Sequence, residues 1–166
     1  MSTPQYPTPE SANFYAAPPL WAPYYGAPFK EAIRRFFTKY ATFTGRASRS
    51  EYWWWFLVSI IVGVVLQILI AAGSVITTDA SGYTTSTPGP MSVVGYVLEG
   101  IWFLATIVPQ LALLARRLHD VNISAWMIFI GLVPFLGGLT LLILSLLPPK
   151  PEGQRFDRPT GPVYPG

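Results

Sequence analysis

Cysteine is absent from the 166 residues, which removes disulfides, thiolate metal sites, iron–sulfur clusters and thiol nucleophiles together. A single histidine, His119, leaves no multi-histidine metal centre within one chain. The glycine-rich phosphate loops and the hydrolytic GxSxG and HExxH patterns are also missing. No cofactor and no catalytic residue is expected, and the chain reads as a non-enzyme. Charge is scarce as well: 11% of residues are Asp, Glu, Lys or Arg, against about 25% in an ordinary soluble domain. So few charges cannot clothe a water-exposed surface. A lipid-facing surface, with 51% of residues hydrophobic, removes the difficulty. The net charge of +3 is small, and the basic residues lie beside apolar segments, which points to membrane orientation rather than nucleic acid.

Residues 1–27 hold six prolines, four tyrosines and one charge, Glu10, and read as a disordered tail with polyproline-II character. No basic start followed by an apolar run marks a secretory signal there. Residues 28–41 open with Pro28, which suits a first helical turn. Phe29, Ala32, Ile33, Phe36, Phe37 and Tyr40 share one helical face, with Lys30, Glu31, Arg34 and Thr38 opposite. The stripe fits a helix lying in the membrane interface or, equally, a cap packed on a helical bundle.

Residues 42–147 carry three long apolar stretches, Trp53–Ala72, Val93–Ala115 and Ala125–Leu147, each near the ~20 residues that cross a bilayer. Between the first two, a Ser-, Thr-, Gly- and Pro-rich stretch reads as a polar loop, and residues 148–166 form a second proline-rich tail. The expected fold is therefore all-α: an integral membrane bundle of three transmembrane helices, an interfacial helix before it and disordered tails. Basic residues before the first span, and Arg116 with Arg117 between the second and third, place the amino terminus in the cytoplasm. An odd span count sends the carboxyl tail outside, although Lys150, Arg155 and Arg158 oppose that. A re-entrant hairpin turning at Pro134, Gly137 and Gly138 would return the tail inside. The ordinary span is preferred, because an unpaired turn in lipid exposes backbone groups.

Two polar motifs flank these stretches. In Phe43–Trp53, Ser48 and Glu51 match a helix capping box, and Trp53, Trp54 and Trp55 suit the headgroup level. Arg46 and Arg49 beside the helix start are candidates for holding a lipid phosphate or a partner's acid, as are Arg116 and Arg117. The second motif, Arg116–Trp126, falls on the same membrane face as the first. The two are expected to form a cytoplasmic network in which Glu51 and Asp120 engage some of Arg46, Arg49, Arg116 and Arg117, with His119 in a hydrogen-bonding role.

Within the spans, Glu99 needs a partner, because a carboxylate at mid-bilayer costs roughly 2.5–3.5 kcal/mol on insertion scales. Thr106, Gln110 and Arg117 follow it along one helical stripe. Gln67 on the first span lies at nearly the same depth, so a hydrogen bond between Glu99 and Gln67 or a nearby hydroxyl is expected. Ser59 and Gly63, and Gly131, Gly138 and Ser145, offer flat strips for helix packing or self-association.

The run Phe43–Trp53, the run Arg117-Leu118-His119-Asp120 through Ser124-Ala125-Trp126, and Glu152-Gly153-Gln154-Arg155-Phe156 together resemble the signatures of the bacterial inner-membrane family known as domain of unknown function 805. The resemblance covers Phe43 to Phe156. Met127, Gln154 and Asp157 depart from the residues common there, which are tryptophan, asparagine and glycine. The resemblance implies a small multi-span protein of the bacterial cytoplasmic membrane and carries no activity with it. The expected role is interaction or regulation, with the bilayer and its anionic lipids, a second copy of the chain or another protein as partner. The alternative is an oligomeric transporter or channel subunit lined by the Glu99 stripe.

Overall fold

The computed structural model describes residues 17–157. Helix α1, Phe29–Thr38, is followed by the long α2, Arg49–Ala72, the strands β1, Ser74–Thr78, and β2, Thr84–Pro88, and the longest helix, α3, Pro90–Asp120. A 3-10 helix at Ala125–Leu132, helix α4 at Leu136–Leu146 and a second 3-10 turn at Pro151–Phe156 complete the chain.

Among the described residues, only α2 and α3 are long and apolar enough to cross a bilayer. At 1.5 Å per residue they run about 36 and 46 Å, so α3 overshoots a hydrocarbon core of about 30 Å by several turns. They form an antiparallel pair. Where they meet near the strands, Gly95 sits against Ile70, and an added Cβ would come within 2.6 Å of the isoleucine side chain. At the other end Trp55 stacks between Phe36 of α1 and Trp102 of α3. That aromatic stack fixes α1 as a cap on the helix pair, while Phe37 and Tyr40 remain exposed on its flank.

Three expectations are corrected. The connection read as a polar loop is an antiparallel β-hairpin with Ser74 opposite Pro88, so the chain is not all-α. The β-branched Val75, Ile76 and threonines favour the extended pair, and the Asp79 carboxylate accepts from Ser81 and Tyr83 N–H to close the turn.

The third apolar stretch is not one helix. It breaks at Val133-Pro134-Phe135, where Leu136 N–H bonds the Pro134 carbonyl at 2.7 Å and Phe135 takes a φ of 62°. Proline disfavours helix at the residue before it and lacks its own N–H. The 3-10 arm and α4 then fold back on each other, at most about 16 Å deep by the length of α4. The stretch starts just beyond the end of α3, and its last residues return there, where Arg117 Nε donates to the Ser145 carbonyl at 3.0 Å. It enters and leaves at one end of the helix pair, contrary to the ordinary span.

The tails are ordered where they are described. Residues 17–27 and 148–157 pack against the ends of α2 and α3, so the tail boundaries at residues 27 and 148 do not separate disorder from structure. The expectations for residues 1–16 and 158–166 lie outside the described residues.

The glycines at tight approaches are Gly73, Gly89, Gly95, Gly137 and Gly153, whereas Gly63 and Gly138 face open space. A Cβ on Gly137 would lie 2.0 Å from the Ile130 carbonyl oxygen and 2.8 Å from Gly131 Cα. Gly137→Ala is therefore expected to force the hairpin arms apart and lower stability by about 1–3 kcal/mol. Gly138→Ala should leave it unchanged, and thermal unfolding of both variants in detergent checks the contrast.

Candidate functional site

At the common end of α2, α3 and α4, charged side chains are buried in unusual density. Arg35, Glu51, Arg116, Arg117 and Asp120 are all at most 2% exposed. Burying a charge is costly unless it is paired and hydrogen-bonded, so their partners define the site.

Asp120 is the centre. One carboxylate oxygen accepts from Arg117 Nη1 at 2.6 Å, and the other from the Tyr25 hydroxyl at 2.6 Å, with Arg46 Nη1 at 3.6 Å. Arg117 also donates to the carbonyls of Ser145 and Leu147, which holds the outgoing end of α4. Arg46 forms a two-pronged pair with Asp157, the shorter contact 2.7 Å, and donates to the Tyr25 hydroxyl at 3.3 Å. One aspartate thus ties the N-terminal segment, α3, α4 and, through Arg46, the C-terminal turn. Burial first, and then the Asp120 carboxylate, push the Tyr25 phenol above its ordinary range. The protonated phenol is the bonded form, so its contribution is full below about pH 10 and is lost as it ionises above that.

Glu51 organises the second half. Ser48 Oγ accepts from Glu51 N–H at 3.2 Å and Ser48 N–H donates to Glu51 Oε2 at 2.9 Å, the reciprocal arrangement that satisfies a helix start. The same carboxylate accepts from Tyr24 N–H at 3.2 Å and pairs with Arg35 at 3.5 Å. Arg35 in turn donates to the carbonyls of Pro18 and Ala22. Carbonyls of a proline-rich segment, which has few N–H groups of its own, thereby serve a buried guanidinium.

His119 stacks flat on Phe156, with ring centres 4.0 Å apart, and a ring nitrogen bonds the Gly45 carbonyl at 3.0 Å. Gly45 N–H donates to the Phe156 carbonyl and Ala47 N–H to that of Arg116. Gly153 has to be glycine here, because a Cβ would reach within 2.5 Å of the His119 carbonyl oxygen.

The sequence motifs thus meet, but in a specific pattern. Asp120 engages Arg46 and Arg117, while Glu51 engages Arg35 and none of the four arginines expected. Arg49 is exposed and forms no ion pair among the described residues. Arg116 is buried and bonds only the Ala112 carbonyl. Along the stripe, Gln67 donates to Glu99 at 3.0 Å on the outer surface of the helix pair. Thr106 bonds the Trp102 carbonyl of its own helix, Gln110 is exposed, and Arg117 turns away into the cluster, so the stripe is not continuous. Tyr25, Arg35, Lys39 and Asp157 escaped sequence reasoning. Asp157 directly follows the Gly153–Phe156 motif and was the one signal available.

Two long apolar helices capped by a buried charge cluster define a small helical protein of membrane type. The sequence profile of the proteins of unknown function designated DUF805 matches residues 40–158, and the chain belongs to that family. Its relatives include the Escherichia coli inner membrane protein YhaI, 35% identical over 107 residues covering 63% of this chain and 73% of the relative. The Escherichia coli inner membrane protein YhaH is 32% identical over 117 residues, 70% of this chain and 85% of the relative. No solved structure matches the chain.

Asp120→Asn would leave Arg117 without its carboxylate and is expected to cost about 3–5 kcal/mol. Arg49→Gln, at an exposed and unpaired position, should change stability by no more than about 0.5 kcal/mol. Denaturant unfolding of the purified protein in detergent measures both.

Proposed function

We propose that this is a non-enzymatic protein of the bacterial cytoplasmic membrane, with two spans, one re-entrant hairpin and both chain ends in the cytoplasm. The observation that carries the topology is the hairpin, which begins and ends beside the charge cluster. Lys30, Arg34, Arg49 and Arg155 then fall on one side with the cluster, and the β-hairpin, which has no Lys or Arg, falls on the other. This agrees with the retention of basic residues in the cytoplasm. It also resolves the conflict between an external tail and its own basic residues.

The role we propose is to anchor and present the cytoplasmic end to anionic lipids or to a protein partner, with Arg49 beside Trp53 as one contact point. The support is chemical. Glu51, Asp120 and Asp157 are each committed to a cation, and His119 is committed to a backbone carbonyl and an aromatic face, so these groups build the fold. Transport through the Glu99 stripe is less well supported. Two spans cannot enclose a wide pore, and Glu99 is already bonded to Gln67. That pair lies on the outer face of the helices, where a second copy would remove it from lipid.

The cysteine-free background permits a direct test. Single substitutions Ser81→Cys, Phe135→Cys and Gln154→Cys are exposed in intact spheroplasts to a membrane-impermeant thiol reagent. Residue 81 should label from outside, residue 154 only after permeabilisation, and residue 135 not at all. Labelling of residue 154 from outside would establish a third complete span and overturn this topology.

A further inference from the structure

Five cationic side chains are buried at the cluster end: Arg35, Lys39, Arg46, Arg116 and Arg117. Three of them face carboxylates, Arg35 on Glu31 and Glu51, Arg46 on Asp120 and Asp157, and Arg117 on Asp120. Lys39 and Arg116 have no ion pair among the described residues. Arg116 is 1% exposed and leaves Nη2 buried with no hydrogen-bond partner. The Glu51 carboxylate acts favourably on both, but it is already paired with Arg35, so these buried cations share one committed carboxylate and stay under-compensated where a low local dielectric denies them water. The carbonyl end of α1, where Lys39 is the C-cap, offsets part of this charge but does not neutralise it.

Beside Lys39 lies an opening. Lys39 lines a pocket of about 330 Å³ together with Leu20 and Trp21 of the N-terminal segment and Thr38, Thr42, Thr44 and Gly45. Thr38 already bonds the Arg34 carbonyl, whereas no side-chain bond commits Thr42 or Thr44 among the described residues. The pocket therefore joins a positive charge that lacks a direct ion pair to uncommitted hydroxyl donors, and its volume lies in the range of small-ligand clefts.

We propose that this pocket binds a phosphate group, with Lys39 as the contacting cation and the Thr42 and Thr44 hydroxyls as donors. One phosphate matches both the surplus of positive charge and the number of free donors. Its source is either a lipid headgroup, since the pocket lies at the end of the helix pair, or a soluble phosphate compound. Lys39 also gives the site a pH limit. Burial first of all lowers its ammonium to about 8; Glu51 and Asp157 act to raise it, and Arg116 and Arg35 to lower it further. Binding should therefore weaken as pH rises through about 8.

The test uses the full chain in dodecyl maltoside, which carries no phosphate, with thermal unfolding and equilibrium binding as readouts at constant ionic strength. Inorganic phosphate and, separately, dihexanoyl phosphatidylglycerol are titrated. Lys39→Met is expected to unfold at a higher temperature than the wild type without ligand, because it removes a buried unpaired cation. It should bind about tenfold more weakly or worse, the loss of one charge-assisted hydrogen bond. Thr42→Val combined with Thr44→Val leaves the cations in place and should also weaken binding, while Lys30→Gln, at an exposed position of α1 outside the pocket, should not. A response to both probes shows that the phosphate group itself is recognised. A response to phosphatidylglycerol alone assigns the lipid source, and one to inorganic phosphate alone the soluble source. The proposal is overturned if the wild type responds to neither probe, or if Lys39→Met binds as the wild type does.

Discussion

Burying a carboxylate among guanidiniums is costly unless they hold one another, and Asp120 is where Arg117 and Arg46 meet that condition. Removing Asp120 leaves Arg117 without a carboxylate in a medium that cannot hydrate it, although Arg46 keeps Asp157. The segments that supply partners are consequently far apart in the chain: Tyr25 before α1, Arg46 before α2, Arg117 within α3, and Asp157 after α4 bonded to Arg46. The cluster acts as the closure of the molecule. Apolar burial alone could not do this, since α2 and α3 expose most of their Ile, Val and Leu side chains to the surroundings. In lipid those side chains have no reason to seek each other, and packing and polar contacts must supply the association.

The hairpin follows from the same closure. Its outgoing end is held by Arg117 on the carbonyls of Ser145 and Leu147, and Lys150 N–H then donates to the Asp120 carbonyl at 2.8 Å. A chain so tethered at entry and exit can reach only partway along the helix pair. The excess length of α3 has a matching explanation: its last turns, Arg116 to Asp120, project beyond the hydrocarbon length to form the floor of the cluster.

Much of this was legible in the sequence because it is written in local patterns. Two apolar runs of span length, the Ser48–Glu51 capping box and the depth arithmetic that sets Gln67 level with Glu99 each depend on spacing along one helix. The third apolar stretch was not legible, since hydropathy is the same for a span and for a hairpin of half its depth. Pro134 was the signal, but an unpaired turn in lipid weighed against it, and the close approach of Gly137 to Ile130 that compensates is invisible before folding. Residues 17–27 were misread for a related reason. Their proline and tyrosine content lacks a hydrophobic period, whereas their order comes from carbonyls and one hydroxyl meeting charges tens of residues away. Arg35 and Lys39 counted only among the basic residues that precede the first span, and tertiary burial alone distinguishes them from Lys30 and Arg34.

If Asp120 closes the molecule, the two chain ends must loosen together. Amide hydrogen exchange compared between the wild type and Asp120→Asn tests this most directly. Residues 19–27 and 150–157 should exchange faster in concert in the variant, while the β-hairpin from Ser74 to Pro88 keeps its wild-type rate. Unchanged exchange at both ends, or loosening of one end alone, would contradict the account.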